Sequence, residues 1–478
     1  MKGRGWIFGG MALAVWLAGH SPAVAGSITS LLPRNGDPAR QVCIRPIVAS
    51  QARCTFDTIG VVRDSHGFVV AGAEVSDGTR RAITNRRGFF DLFRPLPSDH
   101  RLTVRLTRSC SRAVSVTVDT VQAISNGGIR RDVSVPCSRP SYNAFGFGFV
   151  RDGRLGAVAR TGIWHSEERG WLETYALSAG GRMTEPEPFA VTDDDVRNAA
   201  GGFTKSGAMV VFYSRFDVDR RAWRGIDYVR TARDGTVTGS IPTGRTVEYS
   251  PYGPIVVLPS GRLMQTFYGW DGRTSRVYIA HSGDDGRSWT SLKPIDAQPP
   301  FQANEAAAAV VGGATDATAS IVLVARAKGY ARGRLWRGLC QYVSPDGGRT
   351  WRRLGRIVLS RGDSIPWVAR VESGRVALVY ADRGTMTLRR SITPLAEAFA
   401  GRWWDPVTFY HSRVPTSRRA DVGDFGYPSI ASFGTGAARQ AVVFNDVDLR
   451  GSIDGTDVDL LVLPLWAGPD MSPTPLSP

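Results

Sequence analysis

Lysine is scarce in this chain of 478 residues, standing only at positions 2, 205, 293 and 328, so the formal net charge of +16 is carried almost wholly by arginine. A cationic surface of that size favours anionic partners. No block of basic residues and no recognition motif accompanies it, which argues against nucleic acid and leaves carboxylated, sulfated or phosphorylated glycans as the expected partners. Cysteine is also rare, at five residues whose spacings fit no zinc pattern. P-loop, dinucleotide fingerprint, H-E-x-x-H and C-x-x-C are all missing, so no cofactor and no metal is expected. Long apolar runs are confined to Trp6–Leu17, about a dozen residues where a bilayer span needs roughly 20. Lys2 and Arg4 precede that run and Ala23-Val24-Ala25 follows it, the layout of a signal peptide cleaved after Ala25. An exported, soluble chain without a membrane span is therefore expected, in a periplasm or outside the cell, with its oligomeric state open.

In an oxidising compartment the cysteines invite pairing. Cys43 with Cys54 and Cys110 with Cys137 are the expected disulfides, although four cysteines allow three connectivities. Cys340 stands alone in the C-terminal region and reads as a buried apolar filler.

What is plentiful is turn chemistry. The 54 glycines and 28 prolines are scattered through the chain and not bunched, which points to an all-β protein of many short strands. After an N-terminal segment at 26–54, a first unit at 55–137 alternates β runs such as Ile59–Asp64, Phe68–Val75 and Leu102–Leu106 with turns at Ser65-His66-Gly67 and Asn85–Gly88. This reads as a small β-sandwich. Its pattern G-x-V-x-D-x-x-G-x-x-V-x-G-A-x-V, followed by T-x-x-x-G-x-F, resembles the carboxypeptidase regulatory-like domain. That resemblance implies a transthyretin-like fold with an accessory role.

From 141 to 467, before a tail at 468–478, the chain repeats at roughly fifty-residue intervals, a propeller or solenoid signature. The clearest copies are Ser282-Gly283-Asp284-Asp285-Gly286-Arg287-Ser288-Trp289 and Ser344-Pro345-Asp346-Gly347-Gly348-Arg349-Thr350-Trp351. Both follow a β run and fit S-x-D-x-G-x-T/S-W. In such a turn Asp284 or Asp346 can accept backbone amides, Gly286 or Gly348 tolerates positive φ, and Trp289 or Trp351 buries its ring. Fainter copies lie at Ser178–Pro186 and Thr231–Gly235. The two clear boxes resemble the Asp-box repeats of sialidase-like proteins, which implies a six-bladed β-propeller. Its blades are expected near 143–189, 190–247, 248–301, 302–362, 363–421 and 422–467.

The same resemblance implies a site. Sialidases use a tyrosine nucleophile activated by a carboxylate, with arginines that clamp the substrate's carboxylate. Asn304-Glu305 followed by Ile321–Arg326 resembles the blade that supplies the activating Glu and one Arg, here Glu305 and Arg326. Leu378–Arg383 resembles the segment bearing another Arg, Arg383, and Gly426-Tyr427-Pro428 the start of the blade bearing the nucleophile, Tyr427. The first blade departs from the pattern. No R-I-P motif is present, and Val158–His165, with Arg160 in R-x-G-x-x-H, resembles the strand that ends in the acid/base Asp but carries His165 there. His165 or Asp195 then becomes the expected acid/base residue, and Arg160, Arg197 and Tyr252 further substrate-binding candidates. The implied function is a sialidase-like hydrolase acting on sialic acid or a related acidic glycan. Two alternatives stay open: a polysaccharide lyase on uronates, and a non-catalytic binding propeller.

Overall fold

The computed structural model describes residues 58–63, 73–85, 89–92, 102–105, 113–116, 120–123, 129–134, 142–162, 170–176, 187–190, 192, 194–243, 248–270, 274–296, 300–331, 333–360, 362–372, 374–412, 425–433, 440–447, 458–467 and 474–475. The expected signal peptide, both expected disulfides, the faint box at Ser178–Pro186 and His165 lie outside the described residues. The chain divides into two units, one ending at Cys137 and the other running from Ser138.

Among the described residues eight strands make up the first unit. They are β1 (Thr58–Arg63), β2 (Glu74–Ser76), β3 (Arg81–Ile83), β4 (Phe89–Asp91), β5 (Leu102–Arg105), β6 (Ala113–Val116), β7 (Thr120–Ala123) and β8 (Ile129–Ser134). They form two four-stranded sheets, ordered β4-β1-β8-β7 and β3-β2-β5-β6. Val62, Val75, Phe90, Leu102 and Val104 are buried. The β2–β3 hairpin is closed by Asp77, whose Oδ1 accepts the amides of Thr79 and Arg80 at 2.7 and 2.6 Å, a side-chain mimic of a backbone turn.

The second unit is built from antiparallel strands in successive groups. First come β9 (Tyr142–Arg151), β10 (Arg154–Gly162), β11 (Trp171–Ala176) and β12 (Glu187–Ala190), then β13 (Asp195–Phe203), β14 (Met209–Asp217), β15 (Ala222–Ala232) and β16 (Gly235–Ser240). The third group is β17 (Glu248–Pro251), β18 (Val256–Val257), β19 (Leu263–Trp270), β20 (Ser275–Ser282) and β21 (Lys293–Pro294). The fourth is β22 (Gln302–Gly312), β23 (Ser320–Ala331), β24 (Arg334–Ser344) and β25 (Arg352–Ser360), and the fifth β26 (Ser364–Glu372), β27 (Arg375–Asp382), β28 (Thr387–Pro394) and β29 (Val407–His411). The last is β30 (Gly426–Ser432), β31 (Gln440–Val447), β32 (Val458–Pro464) and β33 (Thr474–Pro475). Groups two to five are separate sheets, whereas the first and last share one eight-stranded sheet in which β9 joins β32 in parallel at Tyr142 and Val458.

Packing between groups runs through their leading strands. β9 packs on β13, β13 on β17, β22 on β26, β26 on β30, and β30 back on β9. These strands are rich in small residues because backbones approach closely. At Gly253 (φ 83°) an added Cβ would lie 2.7 Å from the Ala306 carbonyl oxygen and 2.9 Å from Ala307 Cα of the neighbouring sheet. The largest apolar cluster joins Tyr142, Phe147, Val196, Val211, Trp367, Val379, Phe444 and Leu461. It thus spans the first, second, fifth and last groups. Cys340 is fully buried on β24 beside Ala325 and Tyr342, and burial pushes its thiol well above the usual range.

Each clear Asp box is the turn between the last two strands of its sheet, β20 and β21 for the first and β24 and β25 for the second. In the first, Ser282 Oγ donates to Asp284 Oδ1 (2.8 Å) and accepts the Gly286 amide (2.9 Å). Asp284 also accepts the Ser288 amide (2.9 Å) and hydroxyl (2.5 Å), and Trp289 Nε1 donates to the Gly286 carbonyl (3.3 Å). The second repeats it atom for atom through Ser344, Asp346, Gly348, Thr350 and Trp351. Trp289 then lies edge-on to Phe212 of the preceding sheet, with ring centroids 4.8 Å apart. The boxes are therefore staples between sheets, and their carboxylates are consumed by the turn. The faint trace Thr231–Gly235 occupies the matching turn between β15 and β16 without the serine and tryptophan of the others.

Candidate active site

Four leading strands share a local irregularity. The register slips between Ala144 and Phe147 on β9, Arg197 and Ala200 on β13, Asn304 and Ala306 on β22, and Gly426 and Ser429 on β30. At each slip a non-glycine residue takes a left-handed backbone: Phe145 (φ 54°), Asn198 (φ 54°), Glu305 (φ 41°) and Tyr427 (φ 48°). A bulge removes one residue from the ladder and re-aims its side chain. Left-handed backbone at such residues costs of order 1–3 kcal/mol and persists only where the surroundings enforce it.

The bulges converge. Tyr427 Oη donates to Glu305 Oε1 at 2.8 Å, and both residues are buried, at 9% and 4% exposure. Phe145 meets the Tyr427 ring edge to face at 4.6 Å, and Tyr252 lies 6.2 Å from the same ring. Arg326 stands directly across β23 from Asn304, beside the bulge, and its Nη1 donates to Glu305 Oε2 at 2.7 Å. Its Nη2 is held by Asp363, which also takes Arg337 at 3.3 Å. Burial works to lower the Arg326 pKa, but Glu305, Tyr427 and Asp363 outweigh it and hold the guanidinium charged. Arg383 follows β27, donates through Nε to the Phe425 carbonyl at 2.9 Å, and lies 5.3 Å over the Tyr427 ring. A Glu carboxylate thus faces the phenol while two guanidinium groups flank it.

The neighbouring tyrosines are tied differently. Tyr252 Oη donates to the Pro366 carbonyl (3.0 Å), and Tyr268 Oη accepts from Asn198 Nδ2 (2.8 Å). Burial and then the Glu305 charge raise both phenols well above their usual range, so they remain neutral. Glu248, at the start of β17, has its carboxyl raised by burial and then by Glu305, against the pull of Arg197.

Arg197 itself pairs with Asp195 (2.6 Å) and stacks over Phe216 and Trp223, at 4.3 and 5.2 Å from their centroids. One terminal nitrogen of Arg197 and one of Arg383 are buried without a hydrogen-bond partner. Buried N–H groups are almost always paired, and these two have no partner among the described residues.

Asp195 and Arg160 differ from expectation. Both are fully buried, and Asp195 Oδ1 accepts Arg160 Nη2 (2.7 Å), Arg160 Nε (3.2 Å) and the Gly170 amide (3.0 Å). Arg160 Nε also donates to the Val196 carbonyl (3.1 Å). Asp195 spends its lone pairs on two arginines and an amide, and Arg160 has no face toward solvent. The pair ties β10 to β13, with neither side chain open to solvent. Among the described residues no group of three His, Cys, Asp or Glu side chains is gathered as metal ligands would be, and no helix is long and apolar enough to cross a membrane.

Glu305, Arg326, Arg383, Tyr252 and Tyr427 are brought together, with Arg197 reaching the same region through Glu248. Asn198, Tyr268, Glu248, Asp363 and Phe145 were missed. Phe145, Asn198, Tyr252 and Glu305 recur at roughly fifty-residue intervals, the first two and Glu305 as bulge residues followed by small ones (Gly146; Ala199-Ala200-Gly201; Ala306–Ala309). Aligning the repeats on that strand, and not only on the Asp box, finds them. Tyr268 arrives by cross-strand pairing with Ser250, and no local signal marks it.

Residues 150–438, well over half of the chain, match the family described as BNR repeat-like domain. The chain belongs to the BNR repeat-like family. Among solved structures, a protein of unknown function from Dyadobacter fermentans aligns with a TM-score of 0.52 at 15% identity, over 67% of this chain and 94% of that one. Trypanosoma rangeli sialidase in complex with the inhibitor DANA aligns at 0.47 and 15% identity, over 72% of this chain and 57% of that one. Hadza microbial sialidase Hz136 aligns at 0.47 and 13%, over 75% and 73%. No curated protein matches the chain.

Proposed function

We propose that this protein is an exported, sialidase-like glycoside hydrolase of the retaining type, acting on sialic acid or a related acidic sugar. The observation that carries the reading is the buried hydrogen bond from Tyr427 Oη to Glu305 Oε1, 2.8 Å long, between two bulge residues held in unfavourable backbone. In this reading Tyr427 attacks the anomeric carbon while Glu305 accepts its proton. The bond to the leaving oxygen breaks, and an acid protonates that oxygen. Water then displaces the tyrosine, giving a proton to the group that had protonated the leaving oxygen, while Glu305 returns its own to the phenolate, and the two inversions give net retention. Arg326 and Arg383 stabilise the phenolate, and the guanidinium groups of Arg383 and Arg197 receive the substrate's anionic group. With Asp195 spent on its ion pair, His165, three residues past the end of β10, takes the role of acid/base.

The architecture we infer is a six-bladed propeller. The packing of successive groups, through leading strands except for β19 on β22 between the third and fourth, and the shared first and last sheet support closure, with one blade for each strand group. The two four-stranded sheets of the first unit support a transthyretin-like accessory domain, and the leader of residues 1–25 supports export. Phe145 occupies in the first group the place that Glu305 and Tyr427 hold in theirs, so the site has an apolar wall there.

The test is a panel of fluorogenic aryl glycosides, comprising an α-sialoside, uronides and neutral sugars, incubated with the chain lacking residues 1–25. Aglycone release from an acidic glycoside with retained anomeric configuration is the expected result. An unsaturated sugar product would establish a lyase instead. Silence on every glycoside across a pH series would overturn the hydrolase and leave a binding propeller.

A further inference from the structure

A second feature lies at the other end of the strands that carry the bulges. The turns β9–β10, β13–β14, β15–β16 and β18–β19, with the first Asp box, surround an open cleft of about 1550 Å³. Asn198 and Lys205 are seven positions apart along β13 and its turn, so the cleft stands roughly 20 Å from the tyrosine site at about 3.3 Å per residue. It is larger than the roughly 300–1,000 Å³ of a small-molecule pocket, and an extended ligand suits it.

Its lining is cationic. Arg151, Lys205, Arg230, Arg233, Arg262 and Arg287 contribute positive charge against Asp152, Asp234 and Asp285. Two of the three carboxylates are already spent: Arg230 pairs with Asp234 at 3.0 Å and with Asp285 at 2.6 Å, and Arg287 pairs with Asp234. Burial acts to raise the Asp285 carboxyl, but hydrogen bonds from Ser206, Thr204 and Arg230 bring it down to about 2, so it stays ionised and engaged. By contrast Arg151, Lys205 and Arg233 are exposed. Lys205 reaches only the Pro259 carbonyl (3.2 Å), and no described carboxylate pairs with any of the three. Phe203 is the one aromatic residue of the lining, and it is turned against Phe149, 5.8 Å away. Without a stacking platform the cleft offers little to a neutral sugar or an unpaired base. Its recognition must be electrostatic.

We propose that this cleft is a second glycan site that holds a polyanionic polysaccharide chain, carboxylated or sulfated, by charge alone. Such a site would keep the protein on an acidic polymer independently of events at Tyr427. The probe is a fluorescent heparin-derived octasaccharide, followed by polarisation on the full mature chain beside the triple variant R151E/K205E/R233E. Binding that weakens with added salt, and that the variant weakens at least about tenfold with its thermal midpoint unchanged, is the expected result. Equal binding by the variant would overturn the proposal, as would no binding at low salt. Duplex DNA bound as tightly as the octasaccharide at one ionic strength would overturn the glycan assignment. The readout is binding, so it stands apart from whether any aryl glycoside is cleaved.

Discussion

Replacing Tyr427 by Phe is expected to remove glycosidase turnover by on the order of 10³-fold or more, since a nucleophile has no substitute within its own machinery, while the protein stays folded. The phenyl ring would keep its edge-to-face contact with Phe145 and its place beside Tyr252. What is lost is one hydroxyl and its bond to Glu305, a stability cost of about 1 kcal/mol. Glu305 retains Arg326 as partner, so its carboxylate is not stranded. Steady-state kinetics and a denaturation midpoint measured on one preparation check both halves. A large loss of activity with a small loss of stability is the signature of chemistry; comparable losses in both would make Tyr427 a packing residue.

Asp195→Ala is expected to behave in the opposite way, with a loss of about 3–5 kcal/mol in unfolding free energy. Removing one partner from a buried ionic cluster strands the others, and here the stranded groups are Arg160, fully buried, one face of Arg197, and the Gly170 amide. The neighbouring Asp194 provides the control. It pairs with Arg215 at 2.7 Å in a partly exposed setting, with side chains 15% and 29% accessible, and its replacement by Ala should cost about 1 kcal/mol or less. Chemical denaturation of the two variants beside the parent measures the difference. If Asp195→Ala unfolds like the parent yet loses turnover, Asp195 belongs to the chemistry and the ion-pair account of it fails.

These two aspartates show why the site was only partly legible in the sequence. Asp193, Asp194 and Asp195 are indistinguishable as letters. The fate of Asp195 depends on Arg160, 35 positions away on β10, and on burial that exists only after β10 and β13 dock. The Asp boxes were legible because their physics is local: serine, aspartate, glycine and tryptophan within eight residues make all their defining contacts with one another. Strand groups were legible through the repeat those boxes punctuate. Glu305, Arg326, Arg383 and Tyr427 were reached by resemblance, and the structure supplies the reason they share a site, a bulge that recurs on leading strands. Phe145 was not legible because nothing in Tyr142–Arg151 announces a left-handed backbone at a phenylalanine. Only the slip between Ala144 and Phe147 reveals it.

In the proposed mechanism Tyr427 becomes covalently attached to the sugar. That attachment is tested most directly by incubating the mature chain with a fluorinated, activated acidic glycoside whose deglycosylation is slow, then mapping any adduct by peptide mass spectrometry. The account predicts one equivalent of sugar on the peptide containing Tyr427 and none on the Tyr427→Phe variant. An adduct on another residue, or turnover of the matching unfluorinated glycoside with inversion and no adduct, would contradict it.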